Sequence, residues 1–177
     1  MLIEYSLVDV THRLGFKDSK AEVAGMMTEE FTSPLLQEMR ANQGIIKRGD
    51  VTVKLAEYYG FCWGVERAVA MAYESRSHFP DKTIHITNEI IHNPGVNERL
   101  HDMDIKFIDG TLQEETGIKD YSVVDNGDVV ILPAFGATIQ EMQLLDEKGV
   151  QIVDTTCPWV SKVWNAVDSH TKSGQTS

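Results

Sequence analysis

Two cysteines and one histidine are the side chains of this sequence best placed to do chemistry. Cys62 stands in "YYGFCWGVERAV", between Gly60 and Gly64, after an apolar run and before a helical pattern. Cys157 stands in "QIVDTTCPWV", again between an apolar run and a helical pattern. His92 stands in "NEIIHNPGVNERL", just ahead of another helical pattern. A helix start favours negative charge, and thiolate is the form of cysteine that binds metal. The cysteines are 95 positions apart (157 − 62) and form no CxxC pair, so a finger-type zinc site is not expected. Two thiolates and one imidazole leave a zinc site open and an iron–sulfur cluster short of cysteines. From spacing alone the three residues amount to an incomplete redox or metal site.

Each of these residues also has a plainer reading. A lone cysteine is often a small buried apolar side chain, and a lone histidine often a cap or a solvated residue. His78, His85, His101 and His170 are read as structural or solvated. Glu66 complements a helix dipole, and Trp63, Trp159 and Trp164 are packing residues. Phe135, in "VILPAFG", has no reactive group and forms a wall.

The elements that position these residues follow from periodicity. "VTVKLAEYY" alternates Val51, Val53 and Leu55 on one side and reads as a strand ending near Cys62. "WGVERAVAMAYESRSHF" places Val65, Ala68, Val69, Ala72 and Tyr73 on one helical face. "TIHITNEII", "IKFI", "DVVILPAF" and "VQIVDTT" read as strands, with "DVVILPAF" central. "PGVNERLHDM", "ATIQEMQLLDEKG" and "PWVSKVWNAVDSHTK" read as helices, and Pro94 and Pro158 suit first helical positions. A polar loop fills roughly 109–127, and the tail "SGQTS" is polar. Alternating strands and helices predict an α/β fold, a mostly parallel sheet with flanking helices on both faces. Ligands bind beyond the carboxyl ends of the strands in such sheets, where Cys62, His92, Phe135 and Cys157 fall.

Residues 1–50 read as an N-terminal extension with one short helix, "TSPLLQEMRANQG". Ser33 caps it, Gly44 ends it, and Leu35, Leu36 and Met39 are its buried face. "IKRGD" reads as a surface turn. Residues 51–157 form a first α/β domain, and 158–177 the opening helix of a second. Across 177 residues the net charge is −11, which argues against a nucleic-acid partner. No apolar run is long enough for a membrane span, and the start carries no targeting pattern. The compartment is read as reducing, with the thiols free or metal-bound.

Four segments, "KLAEYYGFCWGVERAV", "TNEIIHNPGVNERL", "VILPAFGATIQEM" and "QIVDTTCPWVSKVW", resemble the hydroxymethylbutenyl diphosphate reductases of the methylerythritol phosphate route to isoprenoids. The resemblance runs from about residue 28 to about 172 and is nearest to the plant and cyanobacterial branch. It implies a [4Fe-4S] cluster held by three cysteines, two of which are matched by Cys62 and Cys157. It implies that His92 binds the substrate diphosphate. Many bacterial members have a diphosphate-contacting histidine at the position of Phe135, so that contact does not carry over. The resemblance further implies three similar domains around the cluster, a ferredoxin- or flavodoxin-type electron donor, and a bacterial cytoplasm or plastid stroma. The third cysteine and the proton-delivering glutamate lie in a part of the family pattern that this sequence does not contain. The chain is therefore expected to be an N-terminal portion, inactive alone. The competing reading is a non-catalytic α/β domain that binds a small anion or a partner subunit.

Overall fold

In the computed structural model, residues 11–108, 111–113 and 118–173 are described. Part of the polar loop expected at 109–127, and most of the polar tail, lie outside them. Five strands form an all-parallel sheet: β1 (Thr11–His12), β4 (Ile84–Ile86), β5 (Ile105–Phe107), β8 (Val129–Leu132) and β9 (Gln151–Asp154). Their order is β1-β9-β8-β4-β5, so β8 is central as its unbroken apolar run predicts. All four of its residues are buried.

The strands' alternate residues build two cores. Ile84, Ile86, Val129, Ile131 and Val153 face one side. There they meet helices α1 (Lys20–Phe31), α3 (Trp63–His78) and α4 (Pro94–Asp102). Val130, Leu132 and Ile152 face the other side and meet Leu145 of α5 (Ile139–Glu147) and Tyr121 of a short 3₁₀ turn. Helices thus cover both faces, three on one and one on the other. Of the residues expected on the inner face of α3, Ala68, Val69, Ala72 and Tyr73 are fully buried and Val65 partly so.

Two expectations fail. The N-terminal stretch holds two helices, not one: α1 precedes the expected α2 (Pro34–Ala41). It also supplies β1, which adds to the edge of β9, and α1 buries Val23 against α3, so this stretch is built into the sheet's core. The segment "KAEVAGMMTEEF" has a weakly amphipathic pattern, which hid the helix from periodicity. On α2 only Met39 is buried, and Leu35 stays exposed.

The second failure concerns "VTVK". It does not join the parallel sheet. β2 (Ile45–Arg48) and β3 (Val51–Lys54) form an antiparallel hairpin closed by Gly49 and Asp50, the turn expected at "IKRGD". Val51 and Val53 are 62% and 52% exposed. A period of two identifies a strand but not its partner, and the adjacent two-residue turn made the local partner the cheaper one to reach. Cys62 is accordingly reached through an irregular segment rather than from a sheet strand.

Among the described residues, no helix is long and apolar enough to cross a membrane. The last helix, α6 (Pro158–Lys172), buries none of its residues. Trp159 on it, and Trp63 at the start of α3, are 67% and 61% exposed, so they are not the packing residues expected, whereas Trp164, 45% exposed, lays its ring against Gly136. They stand where the sheet's own core does not reach.

Candidate functional site

The carboxyl end of the sheet is tied together by backbone hydrogen bonds. Ala134 N–H, after β8, donates to Ile90 C=O, beyond β4, at 3.2 Å. Cys157 N–H, after β9, donates to Ala134 C=O at 2.8 Å. The buried Thr155 hydroxyl donates to Leu132 C=O at 2.5 Å, and Thr156 N–H donates to Asp154 Oδ1 at 3.0 Å. The loops carrying His92, Phe135 and Cys157 are therefore adjacent and mutually fixed.

Cys62 and Cys157 are the N-cap residues of α3 and α6, and neither side chain makes a capping hydrogen bond. Ser33, Asn93 and Thr138 do cap the helices they precede. Such caps contribute roughly 0.5–2 kcal/mol each. The two cysteine positions forgo that contribution, so capping does not explain them. Both are free thiols; Cys62 is exposed and Cys157 partly so.

The two helix starts abut. Gly64, in the first turn of α3, faces Cys157 so closely that a Cβ on it would overlap the Cys157 sulfur. Gly60 is different: nothing lies near it, and its φ of +90° is what calls for glycine. Glycine at 64 permits a close approach, and the group it admits is the Cys157 thiol. This convergence places one soft donor on each of two neighbouring helix N-termini.

His92 lies at the next loop. Its ring stacks on Phe135, with centroids 5.5 Å apart and planes at 10°. Its Nδ1 is 2.9 Å from Glu89 Oε2. The side chain is 82% exposed, so the carboxylate and the aromatic face orient an imidazole that a ligand can still reach. Phe135 is the wall expected, 39% exposed, with His92 as its partner. An open cleft of about 1860 Å³ lies beside these residues, lined by Trp63, Arg67, Phe135, Thr156 and Trp164 among others.

Arg67 escaped the sequence reading. Its Nη1 donates to Thr155 C=O and Thr156 C=O, both at 3.3 Å, and its Nη2 donates to Arg13 C=O. It looks in the sequence like one of several charged residues on a helix. The one available signal was its place five residues after Cys62. His85 is buried in β4 and contacts Asp128, and His78 contacts Asp18, as structural histidines do.

A model of the LytB protein family matches residues 53–177. The chain belongs to the LytB family. The match takes in Cys62, His92, Phe135 and Cys157, and leaves α1, α2 and β1 outside. A 4-hydroxy-3-methylbut-2-enyl diphosphate reductase from Picosynechococcus is 63% identical over 166 residues, 94% of this chain and 40% of that protein. One from Microcystis aeruginosa is 60% identical over 169 residues, 96% of this chain and 41% of that protein. These alignments extend beyond the part matched by the family model, and the chain spans about 40% of the Picosynechococcus protein's length. A solved (E)-4-hydroxy-3-methyl-but-2-enyl diphosphate reductase aligns with 67% of this chain and 38% of its own, at 33% identity and a TM-score of 0.54. The Plasmodium falciparum reductase aligns with 66% of this chain and 33% of its own, at 28% identity and a TM-score of 0.56. The α/β fold read from the sequence is thus the fold of this LytB region.

Proposed function

We propose that this chain is the N-terminal portion of a 4-hydroxy-3-methylbut-2-enyl diphosphate reductase, and that Cys62 and Cys157 are two of the protein ligands of its [4Fe-4S] cluster. The observation that carries this reading is that the two helix starts whose N-cap residues are uncapped cysteines abut, Gly64 against the Cys157 sulfur. Soft thiolates are the donors such a cluster takes. Among the described residues no group of three or more His, Cys, Asp or Glu side chains could hold a metal ion. The remaining ligand then comes from outside the described residues.

When bound, the cluster supplies electrons for reductive loss of the substrate hydroxyl as water. The chain's own part is to hold and orient. His92 takes the substrate diphosphate through its exposed ring. Glu89 holds Nδ1 and leaves Nε2 for a phosphate oxygen. Phe135 fixes the ring plane. Phe135 has no donor of its own, so this loop contributes shape rather than charge to diphosphate binding. Electrons reach the complete protein from a ferredoxin- or flavodoxin-type donor. Proton delivery belongs to residues beyond this chain, so the 177-residue chain does not turn over alone.

Anaerobic reconstitution with iron and sulfide tests the ligand assignment. Bound iron should be oxygen-labile and should fall to background in Cys62→Ser and in Cys157→Ser. Iron retained equally by both variants would move the ligands elsewhere. A chain that takes up no iron at all would favour a non-catalytic α/β domain binding an anion or a partner subunit.

A further inference from the structure

We propose that Arg67 is a positioning residue that sets the spacing of the Cys62 and Cys157 thiols; the proposal rests on the paired-thiol reading above. Arg67 lies on α3, which begins just after Cys62. Its guanidinium joins the C=O groups of Thr155 and Thr156, the two residues before Cys157. Thr155 and Thr156 are both buried, and buried carbonyls need a donor. Pro158 has no N–H, and the first bonds within α6 go to Cys157 C=O instead. Arg67 is therefore the link between the helix start that carries one thiol and the turn that carries the other.

The third contact, to Arg13 C=O, extends this link to the residue after β1. Asp154 reinforces that end: its carboxylate accepts from Arg13 Nε at 3.1 Å and from Thr156 N–H at 3.0 Å. One planar guanidinium thus fixes the carboxyl ends of two neighbouring strands to a helix. Lysine, a point donor on a flexible stem, does not reproduce a fork of this kind. Arg67 touches neither sulfur, so it acts through the backbone alone. The clamp also reaches a strand that lies outside the family match, which makes the N-terminal stretch part of the thiol-bearing corner.

Cross-linking by dibromobimane under anaerobic conditions reads the spacing directly, as the ratio of intramolecularly bridged to singly alkylated 177-residue chain. The unmodified chain should bridge Cys62 to Cys157. In Arg67→Met the ratio should drop roughly tenfold or more, the scale at which small misplacements slow proximity-dependent reactions. Arg67→Lys should stay low. Arg76→Met, which cuts a second carbonyl clamp at the opposite end of α3, should lower the thermal midpoint without moving the ratio. A folded Arg67→Met chain that bridges like the unmodified one overturns this inference alone. If that variant does not fold, a normal ratio in Arg67→Lys does the same, and loss of the fold in both shows Arg67 to be general scaffold. An unmodified chain that never bridges overturns the paired-thiol reading and this inference with it.

Discussion

At the scale of residues, the thiol corner depends on what is absent from Gly64. Gly64→Ala drives a methyl group into the Cys157 side chain, whose Sγ and Cβ both lie closer than an ordinary contact. Overpacking of this kind costs about 1–3 kcal/mol. Chemical denaturation should show that loss, and iron uptake on reconstitution should fall with it. A Gly64→Ala chain as stable as its parent would mean that the helix starts are not held together. Phe135→His is the complementary test. Phe135 is partly exposed and stacks on another ring, so the change should leave the thermal midpoint nearly unchanged; a large drop would make Phe135 a core residue. The chemistry-bearing residues were visible in the sequence because cysteine, histidine and their flanking glycines and prolines are distinctive. Arg67 was not, because its role depends on which carbonyls lie across from it, and only the fold determines that.

At the scale of elements, two ionic clusters tie helices to their neighbours. Glu141 supplies both halves of the α5 capping box with Thr138. It also accepts from Lys119 Nζ at 2.6 Å and from the Tyr121 hydroxyl at 2.7 Å. Burial pushes its carboxyl up, but Lys119, the Thr138 N–H and Tyr121 outweigh that and bring it down to about 2. A depressed carboxylate stabilises the fold fully above its ordinary value of 4.5, and that contribution disappears as pH falls through about 2. Acid unfolding followed by circular dichroism should therefore lose this slope between those values in Glu141→Gln. An unchanged profile would show that the cluster contributes nothing.

The second cluster latches α1. Glu30 accepts from the buried Tyr73 hydroxyl at 2.7 Å and from Arg99 Nε at 2.6 Å, joining α1 to α3 and α4. Burial and the neighbouring carboxylate push the Tyr73 hydroxyl up, so it stays a donor. Glu30→Ala leaves that donor unpaired, a loss of about 1–3 kcal/mol. Hydrogen exchange should speed up first along residues 20–31; exchange that rises evenly through the sheet would contradict a local latch. The sheet and most helices were legible because β8 is an unbroken apolar run and because caps, prolines and glycines mark where those helices begin and end. The α1 helix was not, since tertiary contacts rather than a strong apolar stripe hold it. The hairpin was legible as a strand and turn, but its pairing was not, because alternation carries no information about the partner.

At the scale of the whole molecule, what stands out is how much near the site is left uncovered. Trp63, Trp159 and Trp164 are exposed, and α6 buries nothing. The chain covers about 40% of the Picosynechococcus relative's length. A reductase needs an electron store, a proton donor and a diphosphate clamp in one place, and in the proposed reading this chain supplies two thiols and one histidine toward them. The most direct test is a chimera in which this chain replaces the matching N-terminal part of the Picosynechococcus reductase, assayed anaerobically on 4-hydroxy-3-methylbut-2-enyl diphosphate. The chimera should turn the substrate over, the 177-residue chain alone should not, and Cys62→Ser or Cys157→Ser in the chimera should abolish turnover. A chimera that keeps full turnover with both cysteines replaced would contradict their assignment as cluster ligands.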